Sequence, residues 1–272
     1  MENYLVKIII ATHKKYKMPD DSMYLPLHVG AEGKVDSNGL ELDLGYIKDN
    51  SGENISILNS SFCELTGLYW GWKNLEYDYF GLVHYRRHFS IKGKKGFQNI
   101  LSYNELMPYL GKIKVFVPKK RKYFIESLYS HYAHTHYADH LDQTRVVIKS
   151  KYPEYIPFFD SVMKRTSGYM FNMMIMDRSL IDDYCAWLFD ILFALQEKVD
   201  VSNLDQFQGR FYGRVSEILF NVWIDEKIKT GKIRQCEIME IPHVHMEKIN
   251  WIKKASAFLK AKFFSQKYKG SF

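Results

Sequence analysis

No stretch of this chain approaches about 18 uninterrupted apolar residues, the least that spans a bilayer, so no membrane crossing is expected. The N-terminus MENYLVKIIIATHKK has only a short apolar stretch, with Glu2 and Asn3 where a signal peptide places Lys or Arg; export by that route is not expected. Cysteine is scarce. Cys63, Cys185 and Cys236 are odd in number, far apart and without a CxxC pair, the pattern of reduced thiols in a cytosolic protein. Neither GxGxxG nor GxxxxGK[ST] occurs, which argues against a Rossmann dehydrogenase and a P-loop NTPase. No internal repeat and no convincing linker divides the sequence.

What is present suffices for a large core. Of 272 residues 46% are apolar and 25% charged, so a filled globular fold is expected rather than disorder. The 20 Tyr, 18 Phe and 5 Trp fit a tyrosine-rich core, or a site that stacks sugars or bases. The net charge of +7 leans toward anionic partners: nucleic acid, phosphorylated small molecules or an anionic membrane surface.

Leu5 to Ala11 is β-branched and nearly continuous, the mark of a buried parallel strand. Residues 17–54 read as a long loop region with room for one short strand. Residues 59–75 have apolar positions at helical spacing, and Ser60 or Ser61 with Glu64 makes a capping-box start. A strand follows at 79–83, a helix at 102–110, a strand at 114–117 and helical pattern over 123–149. GYMFNMMIM (168–176) reads as a buried strand whose methionines fill core, followed by helices at 179–196 and 213–229 and a last strand at 233–241. The alternation argues an α/β fold, a mostly parallel central sheet flanked by helices, in one domain over 1–250.

Two of these strands end in positive groups: Thr12-His13-Lys14-Lys15, and His84-Tyr85-Arg86-Arg87-His88. Ligands of open parallel sheets sit outside the carboxyl ends of the strands. If the two strands are parallel neighbours, the clusters converge on one edge and suit a diphosphate, with Arg as a planar fork and Lys as a mobile charge. The bland alternative is a solvated cationic rim.

The stretch CELTGLYWGWKNLEYDYFGLVHYRRHF, with KIIIATHK, YLPLHVGA, GYMFNMMIM and RVSEILFNVW, resembles a family of bacterial capsule and exopolysaccharide glycosyltransferases first catalogued only as a domain of unknown function. The resemblance covers most of residues 5–225. It implies a single GT-A-like domain and transfer of a sugar from a UDP-sugar to a lipid-linked saccharide, with inversion, galactofuranose being one donor sugar it suggests. In most GT-A enzymes the corresponding strand ends in Asp-x-Asp holding a divalent metal. Here that place reads His84-Tyr85-Arg86, so fixed cations are expected to take the metal's part and no cofactor is required. Asp20, Asp21 and Asp49 are the loop carboxylates left to recruit a metal. The donor-binding expectation thus covers Thr12, His13, Lys14, His84, Tyr85, Arg86 and Arg87, with Glu64, His88 and Arg214 as further donor or acceptor contacts. Glu217, near the start of its helix, is the candidate general base, against the plainer reading of an acidic residue at a helix N-terminus. Glu64 and Asp205 are its rivals.

His131, His134, His136 and His140 invite a zinc reading, but no Glu follows His136 as a helical zinc motif requires, and no metal site is expected. Residues 251–272 carry six Lys and no acid, with Trp251, Ile252, Phe258 and Phe263 on one helical face. That tail reads as a basic amphipathic helix lying on an anionic leaflet, placing the protein in the cytoplasm at the inner membrane face. A homodimer is left open. The competing reading is a non-catalytic basic module for nucleic acid or anionic polysaccharide. Nucleic acid is not the expected partner, because the cations gather at strand ends instead of spreading over a face with interleaved aromatics.

Overall fold

The computed structural model describes residues 3–202 and 204–247, together with 262, 267 and 270. The chain forms two compact units. The first takes Met1–Lys119, Phe171–Cys185 and Ile233–Met246; the second takes Lys120–Met170, Ala186–Lys232 and Glu247–Phe272. In chain order the first unit begins with β1 (Val6–Thr12), β2 (Tyr24–His28), β3 (Ile47–Lys48), α1 (Asn59–Phe62) and α2 (Leu65–Asn74). It continues with β4 (Tyr79–His84), β5 (Arg87–Phe89), α3 (Tyr103–Leu106) and β6 (Val115–Pro118). The second unit supplies β7 (Arg121–Lys122), α4 (Leu128–Thr135), α5 (Asp139–Lys151), α6 (Ile156–Met163) and β8 (Ser167–Gly168). Next come β9 (Met174–Asp177) in the first unit, α7 (Arg178–Gln196), which begins in the first and ends in the second, and α8 (Phe211–Lys229) in the second. The first unit closes with β10 (Ile238–Ile241) and β11 (His243–His245).

The sheet of the first unit runs β10-β6-β9-β4-β1-β2-β3, with β5 and β11 attached at the end of β4. All neighbours on that path are parallel except β9, which runs antiparallel to β4 and β6. This is the mostly parallel, helix-flanked sheet the sequence implies. β1 reads as continuous apolar because both its faces are covered. Ile8 and Ile10 join a core cluster with Leu101, Leu106 and Phe116, while Ile9 meets α2 at Gly67 and Gly71.

In the second unit α8 packs against α5 and α6, and it is buried on most sides, with Phe211, Val215, Leu219, Val222 and Trp223 enclosed. Among the described residues no helix is long and apolar enough to cross a membrane. The basic helix expected over 251–272 lies outside the described residues, apart from isolated positions.

Four local departures have physical causes. Residues 17–54 hold two strands, β2 and β3, where one short strand was expected, and β2 accommodates Pro26, which cannot donate to a ladder. The helix expected over 59–75 is broken at Cys63, at φ 55°, where Asn59 Nδ2 donates to the Cys63 carbonyl at 2.7 Å. The strand expected over 168–176 is two strands, separated by Phe171 and Asn172 at φ 79° and 50°. A strand beyond Pro242, β11, was not expected at all.

Gly81 marks a close approach between β4 and β9. A Cβ there would lie 2.7 Å from the Met174 carbonyl oxygen of β9 and 2.8 Å from an Ile175 side-chain carbon. Backbone cannot yield as a side-chain tip can, so Gly81→Ala should cost about 1–3 kcal/mol, read as a lower urea midpoint. An unchanged midpoint would show that β9 can move aside.

Candidate functional site

β1 and β4 are adjacent and parallel, with Ala11 opposite His84, so the two cationic strand ends do meet. At the end of β1 the Thr12 hydroxyl donates to the Lys14 carbonyl at 2.6 Å and accepts from the Lys14 amide, folding a tight turn. The turn brings Lys14 Nζ to 4.9 Å from the centre of the Tyr85 ring and 5.7 Å from that of Tyr16. His13 and Tyr16 set their rings edge-on to Tyr85 at 5.4 and 5.0 Å, and the Arg86 guanidinium lies 5.7 Å from the same ring. Tyr85, itself buried, is the hub around which both clusters gather.

β4 does not run out into a loop. It turns back through Tyr85 and Arg86 into β5, pairing His84 with Arg87, and β11 then pairs with β5, placing His245 opposite Arg87 and His243 opposite Phe89. Directly opposed residues share a face, so His84, Arg87, His243 and His245 lie together on one side of this small ribbon. The Arg87 guanidinium sits 4.0 Å from the Phe171 ring, which also touches His243 at 5.0 Å between centres.

The cluster is less positive than its composition. His84 bonds the Phe171 carbonyl through Nε2 at 2.6 Å, and since a carbonyl only accepts, Nε2 carries the proton. Desolvation lowers the His84 pKa, helped by Arg87 and Arg86 and opposed by Glu64. Burial pushes His88 down to about 4, and His243 falls to about 4 through burial and then Arg87. Burial thus favours the neutral form of His84 and His88, against their reading as cationic groups; the fixed charge resides on Arg86, Arg87, Lys14 and Lys15.

Glu64 stands at the start of α2 with no capping-box bond, which overturns its reading as a helix cap; Ser102 and Glu105 make such a box at α3 instead. The Glu64 carboxylate accepts from Asn172 Nδ2 at 2.7 Å and acts electrostatically on His84. Among the described residues, two of the four non-glycine residues at positive φ adjoin this carboxylate, Cys63 in sequence and Asn172 by hydrogen bond, and a third, Phe171, directly precedes Asn172. Such backbone strain costs about 1–3 kcal/mol per residue and clusters at working sites.

Asp49 is fully occupied by the fold. It is buried and accepts from the Gly30 and Ala31 amides, Ser56 Oγ and Thr66 Oγ1 at 2.5–3.0 Å, so it has no capacity left to recruit a metal. Asp21 accepts from the Met23 and Tyr103 amides; Asp20 is exposed.

Glu217, Arg214 and Asp205 belong to the second unit. Glu217 is the seventh residue of α8, two turns in, so a helix-terminus role does not describe it. Arg214 donates to the Phe207 and Gln208 carbonyls, and Asp205 accepts from the Gln208 amide at 2.7 Å. The four histidines have separate hydrogen-bond partners: His131 and His134 bond Glu126, His136 bonds Gln208, and His140 bonds Tyr132. Among the described residues no three His, Cys, Asp or Glu side chains are grouped to hold a metal ion.

Phe171, Asn172, His243 and His245 were missed in the sequence. The period-two alternation of His243-Val244-His245 was the available signal for β11.

The chain belongs to the family described as a domain of unknown function, DUF4422, whose profile matches residues 7–228. Among solved structures it is similar to the WbbM bifunctional glycosyltransferase in its apo form, with a TM-score of 0.80 and 28% identity. That match covers 90% of this chain and 46% of the other, so this chain spans about half the length of that protein. No curated protein matches the chain.

Proposed function

We propose that this chain is a glycosyltransferase that moves a sugar from a UDP-sugar to a lipid-linked saccharide, with inversion at the transferred sugar. The observation that carries the reading is the in-register meeting of the β1 and β4 ends, which gathers Lys14 and Arg86 at the Tyr85 ring, with Arg86, Arg87 and the Glu64 carboxylate all acting on His84. The similarity to WbbM supports glycosyl transfer as the class of reaction. In this reading the acceptor oxygen attacks the anomeric carbon as the bond to the diphosphate breaks. Glu64 takes the acceptor proton, and the arginines and Lys14 balance the charge on the departing UDP. Glu64 is preferred over Glu217 because it shares the first unit with those cations. Galactofuranose remains the sugar the family resemblance suggests. The tail at 251–272 is proposed to hold the protein at the inner membrane face.

Calorimetry with UDP, with and without EDTA, tests the donor part. Arg87→Ala should weaken UDP about 10- to 150-fold, the equivalent of about 1.5–3 kcal/mol for a charged hydrogen bond. Wild-type binding and turnover should both survive EDTA. Unchanged affinity in the variant would remove the diphosphate from this edge; loss with EDTA and recovery with Mn²⁺ would replace the fixed cations by a metal.

A further inference from the structure

The second unit displays a feature that the proposed reaction does not use. Lys120-Arg121-Lys122 is a run of three cations, followed directly by Tyr123-Phe124-Ile125. Phe124 is 81% exposed and Ile125 68%, two large apolar side chains side by side in water. They are not loosely held. Below them, β7 pairs with β8, the Tyr123 amide donates to the Thr166 carbonyl at 2.8 Å, and the Leu128 amide donates to the Arg165 carbonyl at 2.7 Å. Between these anchors the Ile125 amide reaches back to the Tyr123 carbonyl at 2.7 Å, a three-residue turn that forces Phe124 to φ 56°. A bulky residue in the left-handed region is a strained choice where glycine or asparagine would fit.

The far side of the turn is fastened as well. Glu126 is buried and accepts from His131 Nδ1 at 2.8 Å and His134 Nδ1 at 2.5 Å. Ser127 caps α4 in a reciprocal bond with Ser130. Glu126, the carboxylate that follows the tip in sequence, is thus withdrawn from the surface, while Lys120 and Lys122 beside the tip are exposed.

We infer that the 120–125 loop is a preformed wedge for an anionic bilayer, with Phe124 and Ile125 entering the interfacial layer and the neighbouring cations resting on lipid phosphates. Two side chains are far too little for a protein interface, which takes about 800 Å² from each partner. A bilayer asks for no matching pocket; it takes an apolar tip ringed by positive charge. The inference stands apart from the sugar-transfer reading, since it concerns where the chain docks, and its readout needs no turnover.

The test uses the full chain and vesicles of phosphatidylglycerol with phosphatidylcholine, against phosphatidylcholine alone. An environment-sensitive fluorophore is placed at position 124 by Phe124→Cys in a Cys236→Ser background, because Cys236 is exposed and the other two cysteines are buried. The probe should shift to the blue only with anionic vesicles. The pair Phe124→Gly and Ile125→Ser should lower vesicle partition at least about tenfold while melting no lower than wild type, because glycine relieves the strained turn. A probe that stays in water while the protein sediments would assign docking to another segment and overturn the inference. So would equal binding to neutral vesicles, unchanged partition of the double variant, or no vesicle binding at all.

Discussion

Glu64→Gln should cut sugar transfer at least about 10²-fold, the lower scale for a lost general base, while UDP affinity stays within about twofold. The substitution isolates the charge. Glutamine keeps the side-chain length and still offers an oxygen to Asn172 Nδ2, so the bond that ties α2 to the Phe171–Asn172 turn survives. What disappears is the ability to accept a proton. Glu64 acts on His84 with the sign opposite to that of Arg86 and Arg87, so its neutralisation leaves those cations in place and is not expected to weaken UDP. Glu217→Gln is the paired control. Near wild-type turnover for Glu64→Gln, with collapse for Glu217→Gln, would hand the base to the second unit. Loss of UDP binding in Glu64→Gln would mean that the carboxylate organises the site and does not take the proton.

The sheet was legible where burial on both faces leaves no choice of residue: β1 and β4 are nearly all apolar, and their ends announce themselves by the abrupt change to His, Lys and Arg. Within 17–54 one strand was expected and two are found; Pro26 in β2 is tolerated because the β3 pairing involves only Leu27 and His28. The interruptions at Cys63 and Phe171 were illegible for a different reason. Helical and strand periodicity continues straight through both: the break at Cys63 is tied by a local bond from Asn59, and the Phe171–Asn172 turn by bonds to His84 and Glu64, far away in sequence. The same distance in sequence hid the use of Asp49, whose four donors come from residues 30, 31, 56 and 66. The composition of His84-Tyr85-Arg86-Arg87-His88 points to a cationic strand end, but protonation is set by tertiary burial, which lowers the pKa of both histidines.

That lowering has a consequence for stability: the protein should lose several kcal/mol between pH 7.5 and pH 5, before carboxylates begin to protonate in number. His88 and His140 are held at about 4 and His136 at about 3, in each case first by burial, against an ordinary value of 6.5. Arg214 adds to the depression of His136 and His140, and Asp139 opposes it for His140. A histidine with a lowered folded pKa binds fewer protons folded than unfolded. Its contribution is therefore complete above about pH 6.5 and is lost as the pH falls toward the folded value. At pH 5 each such histidine costs about 2 kcal/mol, and the second unit carries two of them. A loss of about 4 kcal/mol is a large share of the roughly 5–15 kcal/mol that holds a domain together. Urea midpoints measured from pH 7.5 to 5 should fall steadily, with protons taken up on unfolding. His140 stacks on Phe211 with ring centres 4.0 Å apart, so His140→Phe keeps an aromatic ring there while removing the titration. It should flatten the curve by about one proton's worth in the second unit, at the cost of the Tyr132 bond to His140 Nδ1. A variant curve parallel to that of the wild type would show that His140 reaches water and protonates in the folded state.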